Sequence, residues 1–295
     1  MLYVIIIAAM LLSTAVPSLA QERLIVGNSY SGNVKLSSPN NGIYLALPEG
    51  TWILTSLEET RTNPGNSPFI NGRLVSMDDQ KRVLGAASFS AGNMTNSNSR
   101  WNVPSFCDRK DIFFLAAPDK MSGRKIRCWG VNHIGMTPGS KDGKYVTDFY
   151  QWVAKNTVGM PKTMIAVDFY RASEAKYLHT RYFRNPELDG FPHPHVSAWR
   201  ESEWHKDSVV GDQKRLSYLE GVKAWGEQWL PTFEAAFNGR PISQPKATPV
   251  AAPISNSQAS MERRLEELKS LFDKKLITGE EYAEKRKDMV NKNVP

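Results

Sequence analysis

TMIAVDFYRASEAKYLHTRYFR, residues 163–184, decides the fold. Two runs rich in β-branched and aromatic residues flank Ser173 and Glu174, a pattern that predicts two antiparallel strands joined by a tight turn. Side chains alternate along a strand, so Tyr177, His179, Arg181 and Phe183 share one face of the second run. Asp168 on the first strand then faces His179 or Arg181, as an acid–base pair or as a cross-strand salt bridge.

Further strand candidates lie upstream. GIYLAL (42–47) and TWILTSLEE (51–59) read as a pair joined across Pro48, Glu49 and Gly50. FINGRLVSM (69–77) and RVLGAASFS (82–90) read as a second pair, and DIFFLAAP (111–118) and KIRCWGVNHI (125–134) as a third. Residues 21–40 are polar and read as a loosely held lead-in, and AGNMTNSNSR (91–100) as an exposed loop. Two helices are expected. KYVTDFYQWVAKN (144–156) places Tyr145, Phe149, Trp152 and Val153 at helical spacing, and a longer helix over about 211–238 carries the stripe Leu219, Val222, Gly226, Trp229, Phe233 and Phe237. Pro231 should kink or split the second. Strands and helices do not alternate, so the expected class is α+β, a mainly antiparallel sheet with two principal helices.

The chain has 295 residues, 41% of them hydrophobic, and eight Trp, enough for a real core. Its formal charge is +7. The last 35 residues, from Met261, hold nine basic and eight acidic side chains, which leaves +6 on the rest. Such a balance suits an acidic polymer or a membrane face, and nucleic acid is not an expected partner. Residues 1–20 are uncharged, apolar to Val16, broken at Pro17 and end in Ser-Leu-Ala, which predicts a signal peptide cleaved before Gln21. Export to the periplasm or beyond is the expected location. The alternative is a retained N-terminal anchor, the one case in which a membrane is a partner. Export makes a Cys107–Cys128 disulfide the natural reading, in place of two buried thiols.

From Pro241 the composition changes. Residues 241–259 hold Pro245, Pro249 and Pro253 without large apolar periodicity, a semi-rigid linker after a domain at 21–240. Residues 260–292 then read as a helical hairpin. Met261, Leu265, Leu268 and Phe272, with Leu271 and Leu276 beside them, line one face of its first helix. Thr278 and Glu281 have the spacing of a capping box, with Ile277 and Tyr282 at the hydrophobic staple positions. RLEELKSLFDKKLITGEEYAEKRKDM resembles the SHOCT family, short bihelical C-terminal modules of bacterial proteins, with Lys275 where that family has Gly. The likeness covers about residues 261–290 and implies oligomerisation or docking on another envelope protein, through Leu265, Leu268, Leu271, Phe272, Ile277 and Tyr282. A hairpin this short buries too little to be stable alone, which points the same way.

Chemistry in the body is sparse. FPHPHVSAWRESEWHKD offers His193, His195 and His205, with nearby carboxylates, for zinc or copper, and hence a metal-dependent hydrolase or a metal-binding protein. Neither HExxH nor GxSxG occurs, and otherwise no cofactor is expected. Trp199, Trp204, Trp225 and Trp229, with Tyr177 and Tyr182, suggest an aromatic pocket for an envelope ligand, to which Arg181, Arg184, Arg200 and His179 would add positive charge. Trp225 and Trp229 at helical spacing also fit ordinary core packing. Catalysis is left open, with a non-enzymatic role favoured.

Overall fold

The computed structural model describes residues 23–36, 42–62, 67–93, 101–121, 125–140, 142–174, 176–191 and 199–240, and, of the tail, 269, 278, 279 and 281–283. The fold is α+β. An eight-stranded antiparallel sheet is built from β1 (Ser29–Tyr30), β4 (Trp52–Thr62), β5 (Ser67–Met77), β6 (Val83–Asn93), β7 (Phe114–Met121), β8 (Lys125–Gly135), β9 (Thr163–Ser173) and β10 (Lys176–Arg184). Their spatial order is β1-β4-β5-β6-β10-β9-β8-β7, so β10 joins the β4–β5–β6 meander to the later strands. β9 and β10 pair as expected, with Arg181 opposite Asp168 and His179 opposite Tyr170.

Ala91, Gly92 and Asn93, expected in an exposed loop, are instead buried at the end of β6, where strand pairing continues, and two larger expectations need correction. The first concerns residues 42–47, whose strand β3 (Ile43–Ala46) pairs with β2 (Asn33–Leu36) in a separate two-stranded ribbon and not with β4. Residues 21–40 therefore contain strands β1 and β2. Burial accounts for the ribbon: Leu36, Ile43, Leu45, Ala46 and Leu47 are all at most 2% exposed and join the main core. The second concerns Pro231. The helix α3 (Gln213–Phe237) runs through it unsplit, because Trp229, Phe233 and Phe237 on both sides of the proline are buried in that same core. Packing of this face overrides the local cost of the missing N–H. Asp212 caps its first turn, accepting hydrogen bonds from the Lys214 and Arg215 amides.

The two faces of the sheet carry different covers. On one face α3 and the β2–β3 ribbon lie over Leu54, Leu74, Ala87, Tyr182, Val167 and Val131. Close approach is needed in two places. At Gly226 a Cβ would sit 2.6 Å from the ring of Trp129, and at Gly239, in the left-handed conformation after α3, it would sit 2.4 Å from the Gly42 carbonyl. On the other face α1 (Lys144–Asn156) buries Val146, Phe149 and Val153, the last two against Val75, Ala86, Ala166 and Phe183. Farther along that face the 3-10 turn Ser105–Asp108 brings Cys107 to Cys128 on β8. Their disulfide, with Cα atoms 5.7 Å apart, anchors a cluster of Trp101, Ile126, Tyr170 and Ala172. Closing a loop of this length stabilises the fold by about 3 kcal/mol.

Candidate functional site

The pocket on the α3 side takes most of its lining from four elements, with Ser76 of β5, Val167 of β9 and the turn at Pro48 and Glu49 adding to it. Trp52 opens β4, Leu84 and Gly85 open β6, Tyr182 and Arg184 end β10, and Val222 and Trp225 come from α3. Together they line a half-open cavity of about 250 Å³ whose walls are mostly apolar. Gly85 keeps its floor open, since it has no side chain to enter the space beside the Trp52 ring. The walls are fixed from behind. The Trp52 indole donates to the Pro48 carbonyl (2.9 Å), and the Tyr182 hydroxyl donates to the Ala46 carbonyl (2.6 Å). Burial pushes the Tyr182 phenol up to about 12, against the hydrogen-bonding influence of Trp229 and Thr180, so it stays a neutral donor. Trp225 stacks on Trp229 at 5.5 Å and meets Tyr182 edge-on at 5.8 Å. At the mouth stand Glu49 and Arg184, the latter bonded to Asp189 (3.1 Å). Leu84, 42% exposed, leaves part of this apolar lining open to solvent. A larger hollow, about 490 Å³, lies between β4 and α1, but it is wide open and lined by polar and apolar groups in similar amounts.

The aromatic residues singled out by the sequence do not form one platform. Trp225 and Tyr182 reach the pocket, with Trp229 stacked behind Trp225, while Trp204 is 1% exposed between Phe191 and Tyr218. Trp199 stacks on His133 at 4.5 Å, and its indole donates to the His133 carbonyl. Tyr177 projects from the opposite face, stacked on Trp101 at 5.2 Å. Alternation along β10 separates the cations in the same way. His179 and Arg181 point to the α1 face, Arg184 points to the α3 face, and Arg200 is exposed in a separate turn. Trp52, the aromatic that completes the pocket, escaped the sequence reading because β3 and β4 were expected to form a simple hairpin.

Asp168 takes both of its expected partners. Its carboxylate is 1% exposed, accepts from Arg181 Nε and lies 3.0 Å from His179 Nε2. Burial alone would raise its pKa, but the Arg181 charge, followed by the His179 bond, more than offsets this and holds it below the usual carboxylate range. Asp168 is therefore ionised at neutral pH.

The metal candidates are only partly described. His193 and His195 lie outside the described residues. His205 is 5% exposed and caps the short helix α2 (Lys206–Val209), its Nδ1 accepting from the Asp207 amide (3.3 Å). Its Nε2 is buried without a hydrogen-bond partner among the described residues. Also among the described residues, no three His, Cys, Asp or Glu side chains converge as a metal site would need.

In the tail, Thr278 and Glu281 make the reciprocal bonds of a capping box. The Glu281 amide donates to the Thr278 hydroxyl (3.2 Å), and the Thr278 amide donates to the Glu281 carboxylate (2.9 Å). Tyr282 begins to propagate the helix, its amide donating to the Thr278 carbonyl (3.0 Å). Leu265, Leu268, Leu271, Phe272 and Ile277 lie outside the described residues. Among the described residues no helix is long and apolar enough to cross a membrane. Neither a family model, nor a curated protein, nor a solved structure matches this chain.

Proposed function

We propose that this chain is an exported binding protein of the cell envelope, in which the domain at 21–240 takes an apolar or aromatic ligand group and the SHOCT-like hairpin joins copies or docks a partner. The observation that carries the binding role is the cavity between Trp52, Tyr182 and Trp225. It is concave, mostly apolar and edged by a few polar groups, the ordinary form of a small-molecule site, and its volume suits one ring system or a short alkyl chain. Export is supported by the Cys107–Cys128 disulfide, a bond at home in oxidising compartments. Thermal-shift screening of the mature chain against aromatic and alkyl amphiphiles tests the pocket. The reading predicts stabilisation that disappears in Val222→Phe; a panel with no effect on the wild type rejects it.

The tail is tested separately by light scattering of the mature chain and of a form lacking residues 241–295. An oligomer that becomes a monomer on truncation, and also on Leu268→Asp, supports self-association, and equal masses reject it. A second reading, zinc or copper held by His205 with His193 and His195, is favoured by the buried His205 Nε2 that lacks a partner among the described residues. Elemental analysis of the purified protein decides it, and absence of stoichiometric metal removes it.

A further inference from the structure

The α1 face of the sheet contains a polar trough between its two apolar covers. Its floor is β6, which presents only small residues there: Ala86, Ser88, Ser90 and Gly92. Neighbouring strands lie about 4.8 Å away on each side, so the larger side chains of β5 and β10 stand about 10 Å apart at the backbone as walls. Register sets the rows. Arg73, Ser88 and Arg181 lie in line across β5, β6 and β10, and Asn71, Ser90 and His179 form the next row. One end is closed by α1, the other by the ring of Phe69, which lies over Gly92, with Trp101 and Tyr177 around it.

One cation of this trough, Arg73, makes no ion pair among the described residues. Arg73 has no carboxylate within 4 Å among the described residues, and its Nε is buried without a hydrogen-bond partner. Its guanidinium is held against Phe149 (4.9 Å), Tyr145 and Tyr150 (5.8 and 5.9 Å) and bonds the Tyr150 phenol, contacts that fix its direction without neutralising it. Arg181 engages Asp168 through Nε, which leaves its two terminal amino groups as donors. Asp168 serves both Arg181 and His179. The other acid that register places on this face, Glu58 on β4, lies two pairs along from Arg73, opposite Asn71, and makes no ion pair with it. From below, the Ser88 hydroxyl adds a donor, while that of Ser90 already bonds the Tyr177 phenol.

We propose that this trough binds a tetrahedral oxyanion, a phosphate or sulfate group free or carried on an ester, between Arg73 and Arg181 and above Ser88. Donors arriving from two sides and from the floor match the three-dimensional array of oxygens on such a group better than a planar carboxylate. The charge-assisted bonds are individually strong, and Arg73, which has no ion pair of its own among the described residues, favours an anion here. The trough is on the opposite face from the aromatic cavity, so the assignment stands or falls independently of that reading.

Calorimetric titration of the mature full chain with inorganic phosphate, sulfate, glycerol phosphate and acetate at low salt tests it. The expected result is saturable binding of the tetrahedral anions with acetate weaker, and a loss of at least about tenfold in both Arg73→Gln and Ser88→Val. Tighter binding of glycerol phosphate than of inorganic phosphate identifies an ester as the ligand, and the reverse identifies the free anion; either supports the site. Ser88→Val leaves the Asp168 ion pairs intact and suits a strand, so it reports on the trough even if Arg73→Gln fails to fold. No phosphate or sulfate binding by the wild type, binding unchanged in Ser88→Val, or acetate bound as tightly as phosphate overturns the proposal.

Discussion

Replacing Gly226 by Ala sets two physical effects of opposite sign against each other. Inside a helix Ala is favoured over Gly by about 1 kcal/mol, so propensity alone makes Gly226→Ala stabilising. Tertiary geometry says otherwise. The new methyl would lie 2.6 Å from Trp129 Cζ3 and 3.1 Å from Val167 Cγ1, where carbon contacts normally relax to about 3.5–4.0 Å. Trp129 has little room to retreat, since it is 5% exposed and wedged between Phe114 (4.6 Å) and Phe169 (5.8 Å). Overpacking of this kind costs about 1–3 kcal/mol, and with Trp129 unable to retreat the upper end applies, which leaves a net loss of roughly 2 kcal/mol after the helical gain. For a domain of this size that is a fall in Tm of about 4–8 °C. Urea and thermal unfolding of the chain measure it. Ala224→Gly, on the exposed side of the same helix, measures the propensity effect alone. A Gly226→Ala protein more stable than wild type, by about what Ala224→Gly loses, would refute the close packing of α3 on Trp129.

Asp168→Asn removes the anion shared by His179 and Arg181 and should cost about 2–4 kcal/mol by leaving a half-buried guanidinium unpaired. Because the folded-state pKa of Asp168 is depressed, its contribution is full above the unfolded value near 3.9 and lost as pH falls through the folded value. Wild type should therefore lose stability below about pH 4 more steeply than Asp168→Asn, as acid unfolding curves will show. Cys107→Ser with Cys128→Ser should lower stability by about 2–5 kcal/mol, measured as a drop in the urea midpoint, and reductant should then have no further effect. Thr278→Ala breaks the capping box and should cost the tail about 0.5–2 kcal/mol, read by circular dichroism of the mature chain as lost helicity, with unfolding of the body unchanged.

Residues that speak through local pattern were legible in the sequence. The turn at Ser173 and Glu174 gave the β9–β10 register, and with it the approach of Asp168 to His179 and Arg181. The α1 segment and the α3 stripe followed from spacing, and the two cysteines from the expected compartment. Long-range pairing was not legible. Nothing local says that Ile43–Ala46 leaves β4 for β2, a choice made by burial of Leu36 and Ile43 against α3 and the sheet. Trp52 and Trp225 meet only once three elements are stacked. Likewise, Arg73 and Arg181 come from strands more than a hundred residues apart, joined through β6. One signal did stand in the chain: alternate positions 86, 88, 90 and 92 are all small, a strand face unsuited to packing and suited to a channel floor.

Fluorescence titration of the mature chain with a naphthalene-type amphiphile tests the binding role most directly, because Trp52 and Trp225 stand in the cavity wall. The account predicts saturable quenching at one site per chain, abolished by Val222→Phe, which fills the cavity while leaving both indoles in place. Quenching that is non-saturable, or equal in wild type and Val222→Phe, would contradict it.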